Sequence, residues 1–177
     1  MSSAVIVYAT RYGTTRSVVE LIRTELVAAG LEQVELLPVA EADAQRINGA
    51  DLVVIGGPIY AGRIIGDIPK FCDSHRELLT GRPVGIFITC LYDGEQAASQ
   101  LVEAFPSWLH GHACASADLG GQVKLQRLKF IDRFLMHNIA KVREDVDRIR
   151  VPAVRAFAAD LVACLRPSGS VEDSAVG

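Results

Sequence analysis

The sequence lacks most of what an exported, membrane-spanning or metal-clipped protein needs. No apolar run approaches the ~18 residues that cross a bilayer. The opening Met1-Ser2-Ser3-Ala4 has no basic stretch ahead of an apolar core, so an export signal is not expected and the cytoplasm is the expected compartment. Four cysteines (Cys72, Cys90, Cys114 and Cys164) form no C-x-x-C pair, which excludes a zinc clip and a thioredoxin-like motif. In a reducing compartment all four are expected to be buried or idle thiols. His110-x-His112-x-Cys114 offers soft ligands without a fourth nearby, and Cys72 with His75 fits helix packing, so no metal is expected. G-x-G-x-x-G and G-x-x-x-x-G-K-[ST] are both missing, which argues against a dinucleotide or a nucleoside triphosphate. Neither a Ser/His/Asp order nor a carboxylate pair marks the candidate loops, so hydrolysis is unsupported and no side chain is assigned as catalytic. Aromatics make up 6% of the chain, and the basic cluster does not interleave them in a known reading motif, so nucleic acid is not an expected partner.

What remains is an apolar chain with an uneven charge. Its 177 residues suffice for one domain that buries roughly 70% of its unfolded surface. The net charge is −3, yet Gln122 to Arg143 holds six bases (Lys124, Arg127, Lys129, Arg133, Lys141, Arg143) and one acid, Asp132. That segment carries +5 and the rest of the chain −8, which points to an anionic partner or surface for the segment.

The hydrophobic pattern alternates between strand and helix. Strands are expected at Ala4–Ala9, Val34–Leu37, Asp51–Gly56, Pro83–Cys90 and Ser116–Gly121. Between them, helical spacing runs from Thr15 to a Gly30 C-cap, weakly through Ala42–Arg46, from an Asp67 cap to about Leu79, and from Glu95 to about Leu109. Two more helices are expected at about Leu128–Val142 and Pro152–Leu165. This alternation gives an α/β fold: a doubly wound, five-stranded parallel sheet of order 2-1-3-4-5, with an extra helix before the last. A single domain over 1–166, with an insertion at about 122–150, and a flexible tail over 167–177 are expected.

In that order ligands collect where strands one and three diverge, at the loops after Ala9, Gly56 and Cys90. The first loop, Thr10-Arg11-Tyr12-Gly13-Thr14-Thr15, combines hydroxyls, a glycine and a helix start, which can surround a phosphate without a lysine. A plain strand–helix turn with a threonine N-cap is the competing reading of this loop alone. The second, Gly56-Gly57-Pro58-Ile59-Tyr60-Ala61-Gly62, sets a tyrosine among glycines, and the third, Thr89-Cys90-Leu91-Tyr92-Asp93-Gly94, repeats the theme. One phosphate loop and two aromatic loops at a switch point have the shape of an FMN site.

VIVYATRYGTTRSVVELI resembles the flavodoxin signature, and GGPIYAGRIIGDIPKF is similar to the flavin loop of flavodoxin-like quinone reductases. GGQVKLQRLKFIDRFLMHNIAKV resembles the inserted segment of the menaquinone-dependent protoporphyrinogen oxidase family. The resemblance implies FMN, with its phosphate on Thr10–Thr15. Its ring would be flanked by Pro58, Ile59, Tyr60, Ala61 and Gly62 and by Thr89, Cys90, Leu91, Tyr92, Asp93 and Gly94. It implies an oxidoreductase that dehydrogenates protoporphyrinogen and passes electrons to a quinone, in heme biosynthesis. The alternative is a flavodoxin-type carrier between redox protein partners. Leu128, Ile131, Leu135, Ile139 and Val142 share one helical stripe beside the bases, which fits either packing of that stripe on the sheet with its charges solvated or peripheral contact of 122–143 with the inner face of the membrane.

Overall fold

A computed structural model describes residues 2–129, 132, 137 and 144–166. Five parallel strands form the sheet: β1 (Ser3–Tyr8), β2 (Gln33–Pro38), β3 (Leu52–Tyr60), β5 (Val84–Thr89) and β6 (Ala115–Asp118), in the order β2-β1-β3-β5-β6. This is the expected 2-1-3-4-5 sheet, and a short β4 (Arg63–Ile64) turns back antiparallel on the end of β3.

Alternate strand residues supply two separate cores. Val5, Val7, Val53, Ile55, Ile86 and Ile88 face one side, and Ala4, Ile6, Tyr8, Leu52, Val54 and Phe87 the other. Burial on both faces is why the strands read as unbroken β-branched runs. Helix α1 (Thr14–Ala28) lays Val18, Val19, Ile22 and Leu26 on the second face, beside Val154, Phe157 and Leu161 of α7 (Val151–Cys164). Helices α2 (Ala44–Asn48), α3 (Asp67–Ser74), α4 (Arg76–Thr80), α5 (Gly94–Ala104) and α6 (Ser107–His112) lie between α1 and α7 in the described residues. A Cβ at Gly56 would stand 2.3 Å from the Phe87 ring, so only glycine lets β3 pass that side chain.

Several expected boundaries shift for identifiable reasons. The segment Gly56–Tyr60 is not a loop but the end of β3, and Ala61 and Gly62, both at positive φ, form the tight turn into β4. Asp67 is the first residue of α3 rather than its cap; Gly66 precedes it and no side chain caps the helix. The helix expected to reach Leu79 breaks at His75, whose backbone N–H donates to the Phe71 carbonyl while its Nδ1 lies 3.0 Å from that same oxygen. The Glu95–Leu109 helix likewise divides, because Phe105 is extended ahead of Pro106, where a helical backbone is sterically disfavoured. Asp43 caps α2 by accepting from the Arg46 N–H at 2.8 Å. The helix expected at Leu128–Val142 falls mostly outside the described residues, as does the 167–177 tail. At the base of that segment, β7 (Gln122–Val123) pairs antiparallel with β8 (Val146–Asp147).

The cysteine expectation needs a correction. Cys114 and Cys164 form a disulfide with a Cα–Cα distance of 6.2 Å, while Cys72 and Cys90 are free and buried. Fifty residues of separation hid this pair, and only the packing of α7 against β6 reveals it. Burial pushes the Cys72 thiol up to about 12, so it stays neutral. A cross-link over that separation should stabilise the fold by about 4 kcal/mol through the unfolded chain. Cys114→Ser/Cys164→Ser should therefore lower the urea midpoint relative to the oxidised protein. Dithiothreitol should do the same to the wild type and have no effect on the variant.

Candidate functional site

A cleft opens at the carboxyl ends of β1, β3 and β5, where the strand order reverses. Its lining comprises Thr10, Arg11, Tyr12, Thr14 and Thr15; Pro58, Ile59 and Tyr60; Thr89, Cys90 and Leu91; and a fourth stretch, Gly121 to Lys124 with Arg127 and Leu128. The three expected loops thus meet. Ala61, Gly62, Asp93 and Gly94 do not line the cleft, and Tyr92 is 44% exposed outside the lining. Ala61 and Gly62 are occupied by the β3–β4 turn, and Gly94 already begins α5.

The first loop is built around glycine. Gly13 sits at φ +92 as the N-cap of α1, its N–H donating to Thr10 Oγ1 at 3.1 Å. No side chain caps α1 and no acid occupies its first turn, so the threonine-cap reading fails and the helix's amino end is left for an anion. Thr14 Oγ1 donates to the Gln122 carbonyl at 2.8 Å, tying the loop to β7. Thr15 points elsewhere: its hydroxyl is buried, 3.0 Å from that of Thr89. Thr15 therefore joins the first and third loops through this contact.

The third loop is fixed from below. Cys90 Sγ donates toward Asp118 Oδ1 at 3.4 Å, and the Cys90 N–H donates to the Gly120 carbonyl. Burial raises the Cys90 thiol, which removes it as a thiolate nucleophile. Asp118 accepts from the Gly120 N–H at 3.0 Å and forms an ion pair with Arg150.

The end of β3 holds a contact that no local sequence pattern shows. Asp132, its side chain only 4% exposed, takes Arg11 Nη2 on both oxygens at 2.9 and 3.2 Å. The Tyr60 hydroxyl donates to the same carboxylate, and the Arg11 guanidinium lies 4.1 Å from the Tyr60 ring centre. Arg11 thus faces neither solvent alone nor the amino end of α1. The available signal was that Asp132 is the sole acid among six bases. The cleft lining contributed by Gly121–Leu128 has no counterpart among the three expected loops.

The other candidate groups have local partners. His110 Nε2 lies 2.9 Å from the Val102 carbonyl, and His112 Nε2 lies 2.9 Å from those of Leu79 and Arg82. Cys114 is in the disulfide.

A family model described as a flavodoxin domain matches residues 5–149. The chain belongs to the flavodoxin domain family. No curated protein matches it. Among solved structures, it is similar to a short-chain flavodoxin associated with a non-canonical PDU bacterial microcompartment. That match has 18% identity and a TM-score of 0.59, covering 94% of this chain and 100% of the other. Flavodoxin 2 from Bacillus cereus is 22% identical with a TM-score of 0.57, at 92% and 99% coverage. The flavodiiron protein from Giardia intestinalis is 13% identical with a TM-score of 0.54, at 93% of this chain and 37% of that one.

Family membership indicates FMN as the cofactor. The residues fit it: Thr10 and Thr14 in the lining, an uncapped helix start and a glycine whose Cβ would crowd a neighbouring guanidinium form an anion cradle. The buried hydroxyl pair yields a test of the site's frame. Thr15→Val and Thr89→Val should each destabilise the protein by about 1–3 kcal/mol, because each leaves the other hydroxyl buried without this partner. The double variant should cost clearly less than the sum, as urea midpoints across the double-mutant cycle would reveal.

Proposed function

We propose that this protein is an FMN-dependent oxidoreductase with a substrate of its own, an acidic reduced tetrapyrrole of the protoporphyrinogen type, and that it passes the electrons to a quinone. The observation that carries the reading is the fourth side of the cleft. Gly121–Lys124, Arg127 and Leu128 enter the lining, and Asp132 reaches over to Tyr60. A carrier needs a flavin edge open to its partner, whereas this segment adds a basic wall beside it. Bound FMN supplies reversible two-electron chemistry at its ring. Thr10, Thr14 and the α1 backbone hold its phosphate. Pro58, Ile59, Tyr60 and Leu91 exclude water from the ring, and Lys124 draws substrate carboxylates toward the mouth by Coulomb attraction.

One observation favours the carrier instead. Tyr92 presents a 44%-exposed aromatic beside the cleft, a surface suited to a redox protein. An anaerobic experiment separates the two readings. Mixing the FMN-loaded protein with protoporphyrinogen should bleach the flavin, and excess quinone should restore the flavin bands while porphyrin fluorescence builds up over successive two-electron turnovers. A flavin that ignores protoporphyrinogen, yet is reduced by a flavodoxin reductase, would establish the carrier.

Quinone access by peripheral membrane docking belongs to the same proposal. Among the described residues no helix is long and apolar enough to cross a membrane. Of the expected stripe, Leu128 is buried at 8% exposure, while Ile131, Leu135, Ile139 and Val142 lie outside the described residues. Attraction to an anionic leaflet is therefore assigned to the bases, at about 1 kcal/mol each. Co-sedimentation with anionic vesicles should fall with salt and with Lys124→Ala/Lys129→Ala. Equal partitioning to neutral vesicles, or none at low salt, would exclude docking.

A further inference from the structure

Two arginines reach the cleft, and their surroundings differ sharply. Arg11 stands within the phosphate loop itself, two residues before the N-cap Gly13, where position alone makes it the natural counter-charge for a dianion. It is already engaged: the buried Asp132 holds its Nη2 on both oxygens, and its guanidinium is stacked on Tyr60. A buried carboxylate stripped of that partner would be an uncompensated charge, so Arg11 is held in place.

Arg127 is placed the other way. A Cβ on Gly13 would stand only 3.3 Å from its Nη1, which sets the guanidinium against the amino end of a fifteen-residue helix. That end carries positive partial charge, and no acid lies in the helix's first turn to offset it. Among the described residues no carboxylate pairs with Arg127. Lys124, also in the lining, adds charge of the same sign. Positive features gathered at one cleft repel one another, and an anion bound among them is attracted by each and offsets that repulsion.

We propose that Asp132 sorts the two arginines: it retains Arg11 against Tyr60 and leaves Arg127 as the cation that meets the cofactor's phosphate. The inference rests on the FMN reading of the cleft and extends it, because it gives the inserted segment a share in recognising the phosphate. Discrimination between FMN and riboflavin is then set by a residue outside the T-x-x-G-x-T loop.

The experiment titrates the apoprotein with FMN and, separately, with riboflavin, following quenching of flavin fluorescence. Arg127→Gln should raise the FMN dissociation constant about ten- to a hundredfold, the loss expected for one hydrogen bond to a charged group. Riboflavin affinity should stay within about twofold, since riboflavin has no phosphate to lose. Arg127→Lys should recover part of the preference, and the gap between wild type and Arg127→Gln should narrow as salt rises. Arg11→Gln should change both affinities by the same factor. In the Arg127→Gln background, adding Asp132→Asn should restore part of the FMN preference by releasing Arg11, with melting temperatures confirming that each variant is folded. An Arg127→Gln variant that loses both flavins equally, or neither, overturns the assignment of the phosphate to Arg127. Selective loss of FMN in Arg11→Gln reassigns the phosphate to Arg11, and no recovery in the double variant overturns the sorting role of Asp132. Wild-type protein that binds neither flavin would overturn the FMN reading as well, whereas tight FMN binding indifferent to Arg127 overturns this inference alone.

Discussion

The cleft depends on one buried charge being answered from two sides. Asp132 brings a carboxylate into an environment where it is 4% exposed, and Arg11 and Tyr60 together satisfy it. The partners come from different loops, so the contact joins the segment after β7 to the phosphate loop and to the end of β3. The net worth of such a pair is small, because desolvation offsets most of the Coulomb gain. Its importance lies in the asymmetry: removing either partner leaves an uncompensated group, so the three segments hold one another in register. A similar dependence links Thr15 to Thr89, where two hydroxyls tie the first and third loops below the cleft. Between them, these two contacts fix the relative positions of all three ligand loops.

How much of this could be read in the sequence follows from which interactions are periodic. The strands and the order 2-1-3-4-5 were legible because a sheet buried on both faces needs continuous apolar runs, such as Val53 to Ile55 and Ile86 to Ile88. The cleft's three loops were legible because a switch point places ligands at strand ends whatever the side chains are. Helix breaks at His75 and Phe105 were not read, since one rests on a side chain competing for a backbone carbonyl. The other has its signal in Pro106, which pushes Phe105 out of the helical region. That Ala61 and Gly62 form a hairpin turn is not legible, because alternation alone does not show that β3 continues past Gly56. Asp132 stands out as the sole acid among six bases, but its pairing with Arg11 and the Cys114–Cys164 bond are not legible: both join residues far apart in sequence through tertiary packing that no local pattern encodes.

The charge asymmetry gains a structural meaning from this arrangement. A local +5 on a chain of net −3 reads as a surface feature while its address is unknown. Lys124 and Arg127, both exposed, prove to line the cleft, so part of that charge stands at its mouth and bears on whatever anion enters. Inside a cleft the effective dielectric is below that of water, and charges screened at the surface become influential there. The acid within the basic run is therefore best understood with the bases, as the group that decides which of them is free.

The far side of the sheet contributes to the same site by a different route. Strand β6 begins one residue after Cys114 and ends at Asp118, while α7 begins one residue after Arg150 and ends at Cys164. The disulfide joins one pair of ends and the Asp118–Arg150 ion pair the other, so strand and helix are clamped at two points. The two clamps differ in kind. The covalent one acts on the unfolded chain and contributes about 4 kcal/mol on loop-entropy grounds. The ionic one, with Arg150 40% exposed, contributes little stability and serves as a locator. What it locates is Asp118, whose Oδ1 accepts from both Cys90 Sγ and the Gly120 N–H at the rim of the cleft. A Cβ at the next residue, Gly121, would come within 2.7 Å of the Cys90 carbonyl, so the chain passes there at a separation only glycine permits. Stability is thus supplied at the end of the sheet remote from the cleft, and position at the end where the third loop meets the inserted segment. That division lets the rim hold closely packed, polar contacts that would be too weak to support the edge of the sheet alone.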